Sequence, residues 1–373
     1  MVLIATEVRW QDRRFELPME RILLSEQLGF DAVFTAGGYG CEELVGLGYI
    51  ASQAKRLKLG TRLTEVTGRA PAMAAMAFQT LNHLTGGDRV ICGVGSASPV
   101  ACEGLQGKPW GKPVARMRDF VAILRQAFAG EALDHQGTEW AAPYRGPGNL
   151  GIHPSTIGLD IISPIPIVVA AAGPQMTRLA AEIGDGWMPP GWAPGILPKM
   201  APLLEEGFAK ASSLKTLDNF QIWAHVDMNV HDDVRVAMRP FKEYVVTWSQ
   251  MQRPFMEARG YPDLASSLEV IIAEAAAAGA ADGAEARVMT GLPMLDEPYW
   301  QRALDAVPDE YVDEGWLVGP VDRIRRRVEP WLDCGLTGLI VRYGQQMNHD
   351  RNIENLDAFR AVAAAAGRAP ANF

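Results

Sequence analysis

The sequence has few cysteines, and none of them lie close together. Only four occur in 373 residues, namely Cys41, Cys92, Cys102 and Cys334. This spacing argues against a disulfide framework and against a zinc site, and it indicates reduced thiols in a reducing compartment. The six histidines also lack the HExxH spacing of a metalloprotease. We therefore predict a cytoplasmic protein without a metal site.

Long apolar runs and an excess of positive charge are also missing. The opening stretch MVLIATEVRW has only a few apolar residues and no basic segment ahead of them, which is not typical of a signal peptide. No apolar stretch reaches the length of a membrane span. The formal net charge of −9 argues against a nucleic acid or an anionic membrane as the main partner. We expect a soluble protein that acts on a small molecule.

A repeated pattern of amphipathic helix, glycine and short apolar strand organises the chain. It recurs in SEQLGFDAVFTAGG, AKRLKLGTRLTEV, HLTGGDRVICGVGS, AEIGDGWMPP and DCGLTGLIVRYG. Glycine just past a helix end supplies the left-handed conformation that stops the helix. The apolar strands have the composition of parallel strands buried on both faces. The pattern predicts an α/β protein, a (β/α)₈ barrel, with a doubly wound open sheet as the competing arrangement.

Eight strands and their helices follow from this pattern. Strands are predicted near 2–8, 30–35, 57–64, 88–95, 166–171, 186–189, 220–230 and 337–343. Helices are predicted near 18–28, 42–55, 70–85, 113–129, 174–183, 196–211, 232–250 and 350–366, with an extra one near 320–334. Two stretches, 131–164 and 251–319, do not fit the alternation, although the second contains an alanine-rich helix at Leu268–Ala278. We interpret residues 1–373 as one barrel domain with two insertions at its catalytic end.

The turn after the fifth strand is the first candidate site. Ile167–Met176 runs from an apolar strand through Ala171, Ala172 and Gly173 to Pro174, which opens a helix. The unpaired N–H groups and positive end of a helix favour a phosphate, and small residues let it approach the backbone. The alternative is a tight turn that needs small residues only for packing.

The turn after the fourth strand is the second candidate site. Gly93–Ser98 reads GVGSAS, which lacks the third glycine of a dinucleotide-binding fingerprint. Small residues at the end of a barrel strand suit a flat ring or a ribityl chain close to the backbone. A barrel turn without a ligand is the alternative.

The order of several motifs carries a resemblance to a known family. The motifs are Leu59–Pro71, Asp88–Ser96, the Gly173-Pro174 helix start with Gly184–Trp187, and Val318–Pro320 followed by Gly335–Thr337. In their order and spacing, over most of residues 1–345, the chain resembles the luciferase-like monooxygenase superfamily. The resemblance is strongest to the branch that depends on coenzyme F420, a deazaflavin.

The resemblance implies a coenzyme at the carboxyl ends of the barrel strands. Members carry a bulge after strand three, often with a non-proline cis peptide, against one face of the ring, and this matches Leu63, Thr64 and Glu65. The strand-four turn beside the coenzyme matches Ser96 and Ala97. The segment that holds the phosphate matches Ala171, Ala172, Gly173, Pro174, Gln175 and Met176.

The sequence departs from the family at the end of strand two. Sugar-phosphate dehydrogenases of this family carry an Asp-His pair there, whereas this chain reads FTAGGY over residues 34–39. The remaining acid–base candidates are Glu7, where methylene-tetrahydropterin reductases of the family also have a glutamate, and Glu65. Two carboxylates at one mouth would raise one pKa, which makes a proton donor near neutral pH. The alternative is a solvated carboxylate or a partner of Arg9, Arg62 or Arg69.

The leading hypothesis is an F420-dependent oxidoreductase, a reductase of an unsaturated or carbonyl group. The alternatives are an FMN-dependent monooxygenase and a barrel that binds a ligand without catalysis. The family's habit implies a homodimer. Arg62, Arg69 and Lys108 are expected at the rim of the barrel, where they would attract the anionic tail of the deazaflavin.

Overall fold

The repeated pattern folds into alternating strands and helices. The structure, a computed structural model, describes residues 1–8, 16–37, 41–282, 294–343 and 356–368. The strands are β1 (Leu3–Val8), β2 (Ala32–Thr35), β3 (Lys58–Thr61), β4 (Thr64–Glu65), β5 (Val90–Gly95), β6 (His135–Gln136), β7 (Ala141–Ala142), β8 (Ile167–Ala170), β9 (Gly186–Met188), β10 (Gln221–Val230), β11 (Ala281–Asp282), β12 (Met294–Leu295), β13 (Leu317–Gly319) and β14 (Gly338–Tyr343).

The helices alternate with these strands through most of the chain. They are α1 (Met19–Gln27), α2 (Glu43–Gln53), α3 (Pro71–Leu84), α4 (Pro113–Phe128), α5 (Pro174–Ile183), α6 (Leu197–Phe208), α7 (Val234–Thr247), α8 (Ser249–Ala258), α9 (Pro262–Ala277), α10 (Glu297–Ala306), α11 (Asp309–Gly315), α12 (Val321–Arg327), α13 (Glu329–Leu332) and α14 (Leu356–Ala365). A π-helical turn spans Val100–Leu105. Proline at the first helical position starts several of them, because its missing N–H costs nothing there.

Eight parallel strands close into a barrel. Around the ring β1 pairs with β2, β2 with β3, β3 with β5, β5 with β8, β8 with β9, β9 with β10 and β10 with β14. The ring closes where Leu3 of β1 faces Gly338 of β14. The predicted (β/α)₈ barrel is confirmed, and the open sheet is excluded because no edge remains between β9, β10, β14 and β1.

Large and small residues alternate inside the barrel. Its inner cluster contains Phe34, Trp223 and smaller apolar side chains from neighbouring strands. A Cβ atom on Gly60 would lie 2.2 Å from the Phe34 ring, and one on Gly338 would lie 2.2 Å from the Trp223 ring. Only glycine fits at these two positions, so the barrel interior is filled by layers of side chains rather than open.

The two stretches outside the alternation have structure of their own. Residues 135–142 form the β6–β7 hairpin. Helices α7 to α11 contribute to a second apolar cluster, built around Tyr311 and Trp316 and separate from the main one. The helix predicted at 232–250 ends at Thr247, and α9 begins at Pro262, earlier than predicted. That these stretches are insertions in one domain stays a prediction.

The surface has one feature that bears on assembly. Large apolar side chains are exposed on α2 and α3, namely Val45, Tyr49, Met73, Met76 and Leu84. The homodimer stays a prediction. In the part of the chain that the structure describes, no helix has the length and apolar character needed to cross a membrane.

Candidate active site at the carboxyl ends of the barrel strands

The three predicted coenzyme-binding segments are neighbours at one end of the barrel. Glu65 of β4 faces Gly95 of β5, and Val94 of β5 faces Val169 of β8. Because these strands are parallel, their carboxyl ends share one edge of the barrel. The structure therefore brings together Leu63–Glu65, Ser96–Ala97 and Ala171–Met176. That they bind a coenzyme stays a prediction.

The corner between β3 and β4 has the feature that the family resemblance implied. The peptide bond between Arg62 and Leu63 is cis. The Leu63 side chain lies over β5, where a Cβ atom on Gly95 would be 2.3 Å from Leu63 Cδ2. Thr64 is buried, whereas Leu63 and Glu65 are half-buried. Leu63 and Glu65 thus remain partly accessible at the barrel mouth.

The turn after β5 has an unusual backbone conformation. Ala97 adopts φ = +63° although it is not glycine. Such a conformation is uncommon for a residue with a side chain. Ser98 Oγ accepts a hydrogen bond from the N–H of Ala101 at 3.1 Å, which starts the π-helical turn. The turn exposes part of Ser96 and Ala97 next to β8.

The start of α5 has the geometry of an anion site. Gly173 precedes Pro174 in an extended conformation, and no side chain caps the helix. The first helical hydrogen bond runs from the N–H of Thr177 to the carbonyl of Gly173 at 2.9 Å. The N–H groups of Gln175 and Met176 therefore have no acceptor within the helix. A Cβ atom on Gly173 would have no neighbour within 4 Å, so the approach to these donors is open.

A buried network of charged side chains lies inside the mouth of the barrel. Glu7 Oε2 is 2.9 Å from Arg62 Nη1, and Glu7 Oε1 is 3.5 Å from Arg342 Nη1. Arg342 Nη2 is 2.6 Å from Asp227 Oδ2. The two carboxylates balance the two guanidinium groups, which is the arrangement that buried charges require. Burial lowers the pKa of Arg342, but Asp227 and Glu7 outweigh this and raise it above its usual value.

His225 completes this network. Arg62 Nη2 donates a hydrogen bond to His225 Nδ1. Because a guanidinium group cannot accept a hydrogen bond, Nδ1 is the acceptor and the ring proton is on Nε2. Nε2 is 3.8 Å from Asp227 Oδ2. The hydrogen bond from Arg62 and the nearby carboxylate of Asp227 therefore orient the ring of His225.

Sequence reasoning missed Asp227 and Arg342. The available signal was a charged residue inside an apolar strand, in QIWAHVDMNV and in GLIVRY. Charges at such positions are costly unless they are paired, so they indicate either a partner or a site. Glu7 was predicted as an acid–base candidate. The structure places its carboxylate between Arg62 and Arg342 rather than in solvent.

Glu65 is close to a second carboxylate, Glu43, which was also missed. The side-chain amide of Gln106 donates a hydrogen bond to Glu65 Oε2. Burial raises the pKa of Glu65, the hydrogen bond from Gln106 lowers it, and the charge of Glu43 raises it further. Glu43 is the first residue of α2 and is 7% exposed. Its signal was the pair of glutamates before the apolar helix LVGLGYI.

The expected cluster of cations at the rim is only partly present. Arg62 is buried against Glu7, with a side chain that is 7% exposed, and so it does not reach the rim. Arg69 forms ion pairs with Glu42 and Glu43. Lys108 is exposed as expected. The proposal that Arg62 attracts an anionic tail is wrong, because a buried pair with Glu7 holds its guanidinium inside the barrel.

Aromatic side chains near the strand ends divide into two groups. Trp187 and Trp223 are 0% and 1% exposed and fill the core. Trp192 instead lines a cavity next to His225, with further walls from Pro190, Gly191, Gln252, Phe255, Arg259, Gly315 and Trp316. Tyr39, the last residue of the FTAGGY stretch, lies outside the described residues. Among the residues that the structure describes, no cluster of His, Cys, Asp and Glu is placed to hold a metal ion.

Comparisons with known proteins agree with this geometry. A family model described as luciferase-like monooxygenase matches residues 12–338. A Mycobacterium tuberculosis protein, provisionally named a coenzyme F420-dependent oxidoreductase, is 30% identical over 87% of this chain and 90% of its own length. An F420-dependent glucose-6-phosphate dehydrogenase of Beutenbergia cavernae is 29% identical over 85% of this chain and 84% of its own. The solved F420-dependent tetrahydromethanopterin reductase of Methanopyrus kandleri has the same fold, with a TM-score of 0.69, 20% identity and 97% coverage of each chain.

Proposed function

Because the chain belongs to the luciferase-like monooxygenase family, we propose that it binds coenzyme F420 and transfers a hydride between it and a small organic substrate. The observation that carries the proposal is the meeting of three partly accessible segments, Leu63–Glu65, Ser96–Ala97 and Ala171–Met176, at the mouth of the barrel. The F420-dependent relative from Mycobacterium tuberculosis extends over most of this chain and adds weight to it. The protein is then an F420-dependent oxidoreductase.

The residues present fit such a coenzyme. The open approach to the N–H groups of Gln175 and Met176 suits a phosphate. Leu63 and the turn at Ser96 and Ala97 suit a flat ring that needs close contact with the backbone. When bound, the deazaflavin supplies the hydride-carrying carbon, and the protein supplies binding, orientation and exclusion of water.

The buried charge network forms the floor below this site. Glu7 holds Arg62 and Arg342 in place, and a carboxylate between two guanidinium groups is favoured in its ionised form. We therefore assign Glu7 a positioning role and keep Glu65 as a candidate for proton transfer.

A reductase fits the mouth better than a sugar-phosphate dehydrogenase. Residues 34–37 read FTAG, without the Asp-His pair that would act as a base on an alcohol. We propose that the hydride moves from the reduced coenzyme to the substrate.

The choice of coenzyme has a direct test. We expect the protein to bind F420 about tenfold or more tightly than FMN at low salt, which corresponds to about 1.4 kcal/mol. Exposed cations such as Lys108 would contribute to holding the anionic tail of F420. Because salt screens such contacts, added salt should reduce the difference in affinity between F420 and FMN. Fluorescence titrations with both compounds over a salt series measure it. Equal or tighter binding of FMN would favour the monooxygenase alternative, and binding of neither would contradict the proposed function.

The phosphate position can be tested at Gly173. Gly173→Val should weaken F420 binding by about tenfold or more, because the branched side chain blocks the helix-start N–H groups. The fold should be unaffected, since Gly173 has φ = −79° and open space around its Cβ position. Gly173→Ala serves as a graded control with a smaller loss. Unchanged F420 affinity in a folded Gly173→Val protein would remove the phosphate from this position.

A further inference from the structure

The Glu43 carboxyl group lies against the strand-end residues of the candidate site. Its Oε1 accepts a hydrogen bond of 2.8 Å from Thr64 Oγ1, next to the half-buried Leu63 and Glu65. Its Oε2 lies 2.4 Å from the point where a Cβ atom on Gly37 would stand, and the carbonyl oxygen of Leu63 is 3.4 Å from the same point. The missing side chain at Gly37 thus leaves room for this carboxyl group beside the mouth.

The surroundings of Glu43 favour its neutral form. The titratable and charged groups described around it are Cys41, Glu42, Glu65, Arg69 and the buried Cys92 of β5. Burial raises the pKa of Glu43, and Glu42 raises it further, while hydrogen bonds from its own backbone and from Thr64 lower it, as does the charge of Arg69. Arg69 contributes little because its guanidinium is 3.8 Å from Glu43 and also pairs with Glu42. The outcome is a raised pKa.

We propose that Glu43 is the group that holds the proton delivered to the substrate when the substrate accepts the hydride. This inference rests on the proposed function. A hydride from the reduced deazaflavin forms a C–H bond at the electrophilic carbon, and the π bond of the substrate breaks. The proton on Glu43 then goes to the carbonyl oxygen, or to the α-carbon of an unsaturated carbonyl compound. The substrate is reduced by two electrons, the deazaflavin is oxidised, and the Glu43 carboxylate takes a new proton from solvent.

Glu43 suits this role better than the two carboxylates predicted from the sequence. Glu7 lies between Arg62 and Arg342, whose positive charges favour its ionised form. Burial and Glu43 raise the pKa of Glu65, but its Oε2 accepts a hydrogen bond from the Gln106 amide N–H, and an N–H group cannot accept a hydrogen bond from a protonated carboxyl group. Glu43 has a hydroxyl as its side-chain hydrogen-bond partner, and a hydroxyl tolerates either protonation state.

The first test needs no substrate. Infrared difference spectra of the coenzyme-free protein during a pH titration should show a protonated carboxyl band that persists to higher pH than the band of an ordinary glutamate. The band should vanish in Glu43→Gln and remain in Glu42→Gln, which removes the neighbouring, more exposed carboxylate of the same helix start. Its midpoint should fall in Glu42→Gln, because a negative charge next to Glu43 is gone. A wild-type band that is unchanged in Glu43→Gln would overturn the proposal.

Protein stability supplies a second measurement. A pKa raised in the folded state means that the folded protein loses stability as the pH rises through that value. Glu43→Gln lacks this loss, so its melting temperature should rise relative to that of the wild type as the pH increases above the ordinary pKa of a glutamate. Glu42→Gln should keep such a loss, at lower pH than in the wild type, because the pKa of Glu43 falls when the charge of Glu42 is removed. A constant difference between Glu43→Gln and wild type at all pH values would contradict a proton held at Glu43.

The third test separates a donor from a merely structural carboxyl group. With reduced F420 and 2-cyclohexenone or benzaldehyde as probes, Glu43→Gln should lower kcat by about 10²-fold or more, with F420 affinity unchanged. The fall of wild-type kcat at alkaline pH should be absent in Glu43→Gln and partly restored in Glu43→Asp. A wild type that reduces neither probe contradicts the proposed reductase. Retention of kcat and of its pH profile in Glu43→Gln, beside an active wild type, overturns the Glu43 assignment alone.

Discussion

Arg342→Met is expected to lower the free energy of unfolding by about 3–5 kcal/mol. Arg342 lies between Glu7 and Asp227, and the side chains of all three are at most 3% exposed. Methionine fills a similar volume, so the loss arises from charge rather than from a cavity. The substitution removes the cation that the two buried carboxylates share, and an uncompensated buried charge is far more costly than the pair was favourable.

Urea unfolding at neutral pH measures this loss. The matched control is Arg118→Met, which removes an arginine that donates two hydrogen bonds to Glu182 at the surface. Because the Arg118 side chain is 46% exposed, we expect a loss of about 1 kcal/mol or less there. The double variant Arg342→Met/Asp227→Leu should recover part of the stability, since it removes a carboxylate together with its cation. A loss at Arg342 no larger than that at Arg118 would mean that water reaches the network.

The barrel was predictable because its signals are local. Each strand is a short apolar run, and glycine or proline marks the adjoining helix ends, as at Gly87 and Pro113. The eight predicted strands correspond to the eight strands of the barrel, with boundaries that differ by a few residues. A difference among the helices occurs at Trp248, where the structure separates α7 from α8 although the sequence predicted one helix over 232–250.

The candidate site was predictable in its backbone and not in its charges. Small residues at strand ends can be recognised in the sequence. The structure brings two of them, Ser96 and Gly173, to the same end of the barrel as Leu63. The charged network depends on partners that are distant along the chain, since Arg342 pairs with Asp227 across 115 residues and with Glu7 across 335. Glu43 could not be recognised from the sequence for a similar reason. Its place beside the mouth depends on the hydrogen bond from Thr64 and on the space at Gly37, which only the folded structure shows.

Gly93→Ala is expected to destabilise the protein by about 1–3 kcal/mol and to weaken F420 binding as well. A Cβ atom on Gly93 would lie 1.9 Å from the carbonyl oxygen of Thr61 and 3.3 Å from Met188 Cε. Thr61 also exchanges side-chain hydrogen bonds with the backbone of Gly93, at 2.7 and 3.1 Å, so β3 and β5 are held in close contact. One methyl group must force them apart. The backbone oxygen cannot rotate away as a flexible side chain would.

The effect on binding follows from where β3 and β5 lead. β3 runs into Leu63 and β5 into Ser96, so a separation of the two strands displaces two of the three segments proposed to contact the coenzyme. Gly158→Ala is the matched control, because Gly158 is exposed in a loop and an added Cβ meets nothing within 4 Å. There the smaller entropy of the unfolded chain should leave stability unchanged or raise it by up to about 1 kcal/mol. Thermal unfolding and F420 titration of both variants provide the comparison. Wild-type stability in Gly93→Ala would show that the barrel relaxes around the methyl group, and weakened F420 binding in Gly158→Ala would place the coenzyme elsewhere.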